Sequence, residues 1–127
     1  MSKRDNGRKI MNEILGTAYM DRRDQSTNPF NAPVRQFSEE SCFGEIWSRP
    51  GLPRKTRSLL CLVMLTALGK MHEFRIHVGA ALNNGCTPEE IQEAIYQAAV
   101  YCGLPAAIDA FRNAEEVLRE RGVLPAA

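Results

Sequence analysis

Between Gly85 and Glu90 the chain spells out the end of one helix and the start of the next. Gly85 is a C-terminal stop, Thr87 an N-cap, Pro88 a first helical residue, and Glu90 stands where it closes a capping box. Helical spacing runs on both sides of this punctuation. Before it, Met71, Phe74, Val78, Ala81 and Leu82 fall on one face; after it, Ile91, Ala94, Ile95, Ala98 and Cys102 do the same up to Gly103. No stretch shows β-branched alternation joined by hairpin turns, so the expectation is an all-α chain.

The remaining segments extend that reading. Residues 8–21 carry Ile10, Met11, Ile14, Leu15 and Ala18 as an amphipathic stripe, and residues 22–33 read as an irregular connection. A short helix is expected over residues 38–48 with Phe43, Ile46 and Trp47 on its apolar side, broken by Arg49-Pro50-Gly51-Leu52-Pro53. Residues 54–68 are apolar almost all round after the first turn, which predicts a central buried helix. The last helix is expected over residues 106–121, ending at Gly122.

At 127 residues the chain suits one domain, 1–127. Its 44% hydrophobic content, 24% charged content and net charge of +1 argue against nucleic acid or an acidic membrane surface as partner. The start has basic residues without a signal-length apolar run, and residues 59–65 are too few to span a bilayer, so the expected compartment is the cytoplasm. Cys42, Cys61, Cys86 and Cys102 make no C-x-x-C pair and no zinc spacing, and read as buried free thiols.

Proton-handling groups recur at helical spacing in one place. Lys70, Glu73 and His77 share a stripe at the edge of a buried face, while His72 points away from it. Such a stripe serves either as a laced, solvated face or as the wall of a catalytic pocket. Arg57 enters where the aliphatic run of its helix begins, and either snorkels to water or addresses a carboxylate. Trp47, near a helix end, is a core residue or a pocket wall.

Several separated blocks, taken together and in order, resemble the carboxymuconolactone decarboxylase family. They are FNAP at Phe30 to Pro33, G-x-x-W-x-R-P-G-L from Gly44 to Leu52, Arg57 with its leucine-rich run, E-F-R-I-H-V from Glu73, A-L-N-N-G from Ala81, T-P-E-E-I from Thr87 and Y-C-G-L-P-A-A from Tyr101. The resemblance covers nearly the whole chain. It implies an alkyl-hydroperoxidase D-like domain of about six helices, assembled as a homo-oligomer such as a hexamer and working without a cofactor or metal. One departure is Phe43, where the family usually has tryptophan. Redox relatives carry C-x-x-C-x-x-x-H on the helix of the polar stripe; Lys70 and Glu73 stand at the two cysteine positions and His77 keeps the histidine. Disulfide exchange is thereby disfavoured.

The activity implied by the resemblance is decarboxylation of 4-carboxymuconolactone to the enol-lactone of β-ketoadipate, in protocatechuate catabolism. That substrate is a butenolide whose γ-carbon bears a carboxylate and a carboxymethyl arm, and its conjugated ring accepts the electrons that carbon dioxide leaves behind. The protein then has to anchor an anion, stabilise a growing oxyanion and supply a proton. The expected roles are His77 as proton donor or oxyanion partner with Glu73 supporting it, or the inverse with Glu73 as the acid. Arg57, and next Arg49, would grip the carboxymethyl group, and Trp47, Tyr101 and Lys70 would complete the substrate site. Both catalytic groups are expected inside a sheltered cavity. The competing readings are a thiol or peroxide-linked redox member acting through Cys61 or Cys102, and a non-catalytic helical oligomerisation module.

Overall fold

The computed structural model describes residues 1–125. Among them are seven α-helices, one π-helix and no strand, so the all-helical expectation holds. None of these helices is long and apolar enough to cross a membrane. The chain divides into two compact units, Met1–Pro53 and Arg54–Ala127.

In the first unit α1 spans Lys3–Leu15, α2 Thr17–Gln25 and α3 Ala32–Phe37, followed by the π-helix Ser38–Ile46. The helix expected over residues 8–21 is in fact two, because Gly16 at φ 92° stops α1 and re-aims the chain. Ala18, placed on the first stripe by sequence, is exposed on α2. Residues 22–25 of the expected connection are still helical, and Asn28 and Asn31 shape the short turn that follows by accepting from backbone N–H groups. In the π-helix, the wider winding buries Phe43 and stacks it on Trp47, with ring centroids 5.8 Å apart, but turns Ile46 out to solvent. The predicted apolar side is thus right for Phe43 and Trp47 and wrong for Ile46.

Two glycines let α1 and the π-helix touch backbone to backbone. A Cβ on Gly7 would lie 1.8 Å from the carbonyl oxygen of Glu39, and one on Gly44 would lie 2.3 Å from that of Lys3. Beside this contact the carboxylate of Glu39, 2% exposed, accepts from Arg4 at 2.8 Å, Arg8 at 2.7 Å and Arg23 at 2.6 Å. Burial works to raise the Glu39 pKa, yet the three guanidinium hydrogen bonds outweigh it and the net shift is downward.

The second unit holds α4 (Arg54–Leu68), α5 (Met71–Asn83), α6 (Pro88–Cys102) and α7 (Leu104–Glu120). Here α4 packs on α5 and α6, and α7 closes against both α5 and α6. Leu62, Phe74, Val78, Ala81, Ile91, Ile95, Ala110 and Leu118 meet in its core. Each large side chain contributes about 1.5–3 kcal/mol by leaving water. The capping box forms as read: Glu90 N–H donates to Thr87 Oγ1 at 3.1 Å, and Thr87 N–H donates to Glu90 Oε1 at 2.9 Å. Helix α4 is not buried all round. Ser58, Leu62 and Thr66 face inward, while Leu60, Met64 and Leu68 form an outward apolar stripe four residues apart. Cys86 is buried, Cys61 partly so, and Cys42 and Cys102 are exposed, so the expectation of four buried thiols fails at the last two.

Candidate functional site

Gly69, at φ 68°, ends α4 and lets the chain double back, so that Lys70 becomes the N-cap of α5. Further along, Asn84 Nδ2 donates to Ser58 Oγ at 2.9 Å, which ties the C-terminal end of α5 to the first turn of α4 and shows the two helices to be antiparallel. Arg57 therefore belongs to the Asn84 end of α5 and Lys70 to the other, ~20 Å apart at 1.5 Å rise per residue. A small dicarboxylate does not span both. Glu73 and His77 lie between them, one turn apart on α5.

The shelter reaches one of this pair. His77 is partly buried, with Nδ1 out of contact with solvent, while the Glu73 side chain is exposed. Burial lowers the pKa of His77, and the negative charge of Glu73 opposes that without reversing it. The imidazole is thus neutral near pH 7. A neutral imidazole offers one N–H donor and one acceptor, which suits hydrogen bonding to an oxygen that becomes negative.

On α4, Arg57 is partly buried and its Nε is likewise sheltered. Arg75, also on α5, faces the other way: it bonds Glu116 and Asn113 of α7 and serves to fasten those helices together. His72 is exposed, as its position off the stripe implies. Tyr101, at the end of α6, is 82% exposed. Trp47 and Arg49 belong to the first unit, where Trp47 is 6% exposed against Phe43 and Arg49 is at the surface. Trp47 also bonds the Cys42 thiol, and although the residue as a whole is exposed, the protein around its sulfur displaces enough water to raise the thiol's pKa.

Two grooves open on the second unit. One, of about 350 Å³, runs between α6 and α7 past Ile95, Phe111 and Leu118; the other, of about 450 Å³, runs between α4 and α6 past Leu60, Val63 and Ala94. Neither is lined by Glu73, His77 or Arg57. Among the described residues no group of three or more His, Cys, Asp or Glu side chains is arranged to hold a metal ion. Ser58 was not anticipated from sequence: it sits beside Arg57, fully buried, and its bond to Asn84 sets the register of α4 on α5. The A-L-N-N-G block carried that signal in its second asparagine.

Residues 33–116 match the model of the "Carboxymuconolactone decarboxylase family". The chain is 42% identical over 119 residues to 4-carboxymuconolactone decarboxylase of Acinetobacter baylyi, covering 94% of this chain and 89% of that protein. It is 37% identical over 116 residues to nitrosuccinic acid decarboxylase npaB of Metarhizium robertsii, covering 91% and 81%. With a family model matched from α3 to α7 and a relative aligned along nearly its whole length, the chain belongs to the carboxymuconolactone decarboxylase family.

Proposed function

We propose that this chain is a carboxy-lyase that decarboxylates 4-carboxymuconolactone to the enol-lactone of β-ketoadipate in protocatechuate catabolism. The observation that carries the reading is a histidine kept neutral by burial, at the position the family motif reserves for it, on a chain 42% identical to a decarboxylase of that lactone. The bond from the γ-carbon to its carboxylate breaks, carbon dioxide leaves, and the electron pair moves through the ring double bond to the lactone carbonyl. A proton added at the α-carbon completes the product.

In this scheme His77 donates its N–H to the carbonyl oxygen as charge accumulates there. The growing anion raises the imidazole's proton affinity, which Glu73 already favours, so His77 takes a proton from solvent on its free nitrogen, passes one proton to the α-carbon and returns to the neutral form. The inverted roles need Glu73 inside an apolar pocket, and its exposure argues against them. Arg57 grips the carboxymethyl arm, and Lys70, at the far end of α5, takes no part in holding the same molecule. The enzyme works in the cytoplasm as a homo-oligomer, a state in which Leu60, Met64 and Leu68 leave water.

The test is ultraviolet-monitored turnover of 4-carboxymuconolactone by the purified, chelator-treated protein. His77→Asn is expected to lower turnover at least about a hundredfold with an unchanged circular-dichroism spectrum. Near-normal turnover removes His77 from the mechanism. Full activity of a cysteine-free variant, expected on this reading, eliminates the redox alternative.

A further inference from the structure

The homo-oligomer proposed above, on which this inference rests, needs a surface, and the corner where α6 turns into α7 offers one. Tyr96 and Val100 stand four residues apart on α6, as Leu104 and Ile108 do on α7, so each pair shares a ridge of its helix. The rings of Tyr96 and Phe111 touch, with centroids 5.1 Å apart, which puts the two ridges on one side of the helical hairpin. Val100 is 79% exposed and Leu104 63%, with Tyr96 and Ile108 about half so. Together with Phe111 they present on the order of 500 Å² of contiguous apolar surface, the upper end of what a monomer shows and over half of the ~800 Å² that each partner gives to a standard interface.

Charge on the same two ridges says what covers this face. Away from the corner, the α6 ridge runs on from Tyr96 through Glu93 and Glu89, and the α7 ridge runs on from Ile108 to Arg112, all at three- or four-residue steps. Glu89, Glu93 and Arg112 are exposed, and none makes an ion pair or hydrogen bond among the described residues. Glu115, next along α7, is engaged by Arg119 at 3.7 Å. The uncompensated charge is therefore acidic on α6 and basic on α7. A partner of one sign meets attraction on one ridge and repulsion on the other, whereas a second copy meets attraction on both. A two-fold axis running along the hairpin lays α6 of one copy over α7 of the other, apolar corner on apolar corner and Glu93 opposite Arg112, twice by symmetry. Because Tyr96 and Phe111 stand level, Glu93 and Arg112 are offset along the hairpin by only ~3 Å, two residues at 1.5 Å rise, which long side chains bridge.

We propose that the α6–α7 face centred on Val100 and Ile108, with Glu93 and Arg112 at its edges, is a two-fold interface between copies of this chain. The apolar corner supplies the attraction. The edge charges set the direction in which the copies meet.

Sedimentation equilibrium of the purified full chain reads its mass, and circular dichroism its fold. Val100→Asp combined with Ile108→Asp is expected to halve the mass with an unchanged spectrum, because both side chains already stand in water in the single chain. Glu93→Arg and Arg112→Glu are each expected to weaken association about tenfold, since symmetry makes each reversal felt twice. Mixed in equal amounts, those two variants should recover the parental mass, one carrying two arginines where the other carries two glutamates. An unchanged mass in the aspartate variant overturns the proposal. Reversals without effect, or a loss that mixing does not repair, overturn it as well, because the two ridges then do not face each other. A parent chain that oligomerises regardless of all these substitutions keeps the homo-oligomer of the proposed function and loses only this surface. A monomeric parent overturns both, and turnover of the lactone by that monomer would leave the proposed reaction standing.

Discussion

The two units are held together by different physics. In the first, a buried carboxylate gathers three guanidinium groups beside a glycine contact, next to a smaller set of buried apolar side chains that includes Met11, Ile14, Phe43 and Trp47. In the second, four helices bury a continuous apolar cluster, and the ion pairs lie at the rim, as Arg75 with Glu116 and Lys55 with Glu90 do. A charge hub depends on every partner being present, whereas an apolar core spreads its support over many contacts. Accordingly the unit with the candidate catalytic pair rests on the more distributed of the two.

Two truncations of similar expected size test the contrast first. Glu39→Ala should cost about 3–5 kcal/mol, the usual penalty for breaking a buried ion pair, toward the lower end because Arg4 and Arg8 can turn to water. Phe74→Ala should cost about 3–5 kcal/mol through the cavity it leaves. Hydrogen exchange separates them: Glu39→Ala is expected to speed exchange in α1 and Phe74→Ala in α5, and uniform acceleration in both variants would erase the distinction. Gly7→Ala comes next, at about 1–3 kcal/mol or more, since the methyl must displace the backbone at Glu39. A denaturation midpoint unchanged from the parent would show the contact to be slack. Thr87→Ala is the smallest, at about 1 kcal/mol by loss of the cap.

Acid sharpens the comparison further. The pKa of His77 is lowered from its ordinary 6.5, so in the window just below 6.5 the unfolded chain binds more protons and stability falls with falling pH. Glu39 is lowered from 4.5, so its contribution is present above that value and is lost as pH drops through its folded pKa. Acid weakening therefore begins in the second unit and reaches the first only at lower pH. His77→Gln should remove the earlier phase of a pH titration of stability and leave the later one.

Much of this was legible in the residues. The capping box at Thr87, the bounds of α4 and the inner face of α5 follow from short-range rules that packing did not override. What sequence missed has physical causes. The π-helix winds more loosely than the 3.6-residue period by which Ile46 was assigned inward, and a single glycine at 16 split a stripe that periodicity alone read as continuous. The leucine run of α4 could not reveal which third of its surface faces outward. For the site, spacing put Glu73 and His77 one turn apart, but only coordinates show that shelter covers the histidine and leaves the glutamate in water. The Glu39 hub was invisible because its arginines come from positions 4, 8 and 23, on two separate helices.

Arg121, just past α7, bonds Asn83 and lays its guanidinium over Gly79, in space that a side chain there would fill. The back of α5 is thus finished by a residue from just beyond α7. Because α5 precedes α7 in the chain, the helix of the candidate histidine leaves the ribosome before the guanidinium that covers Gly79 is made.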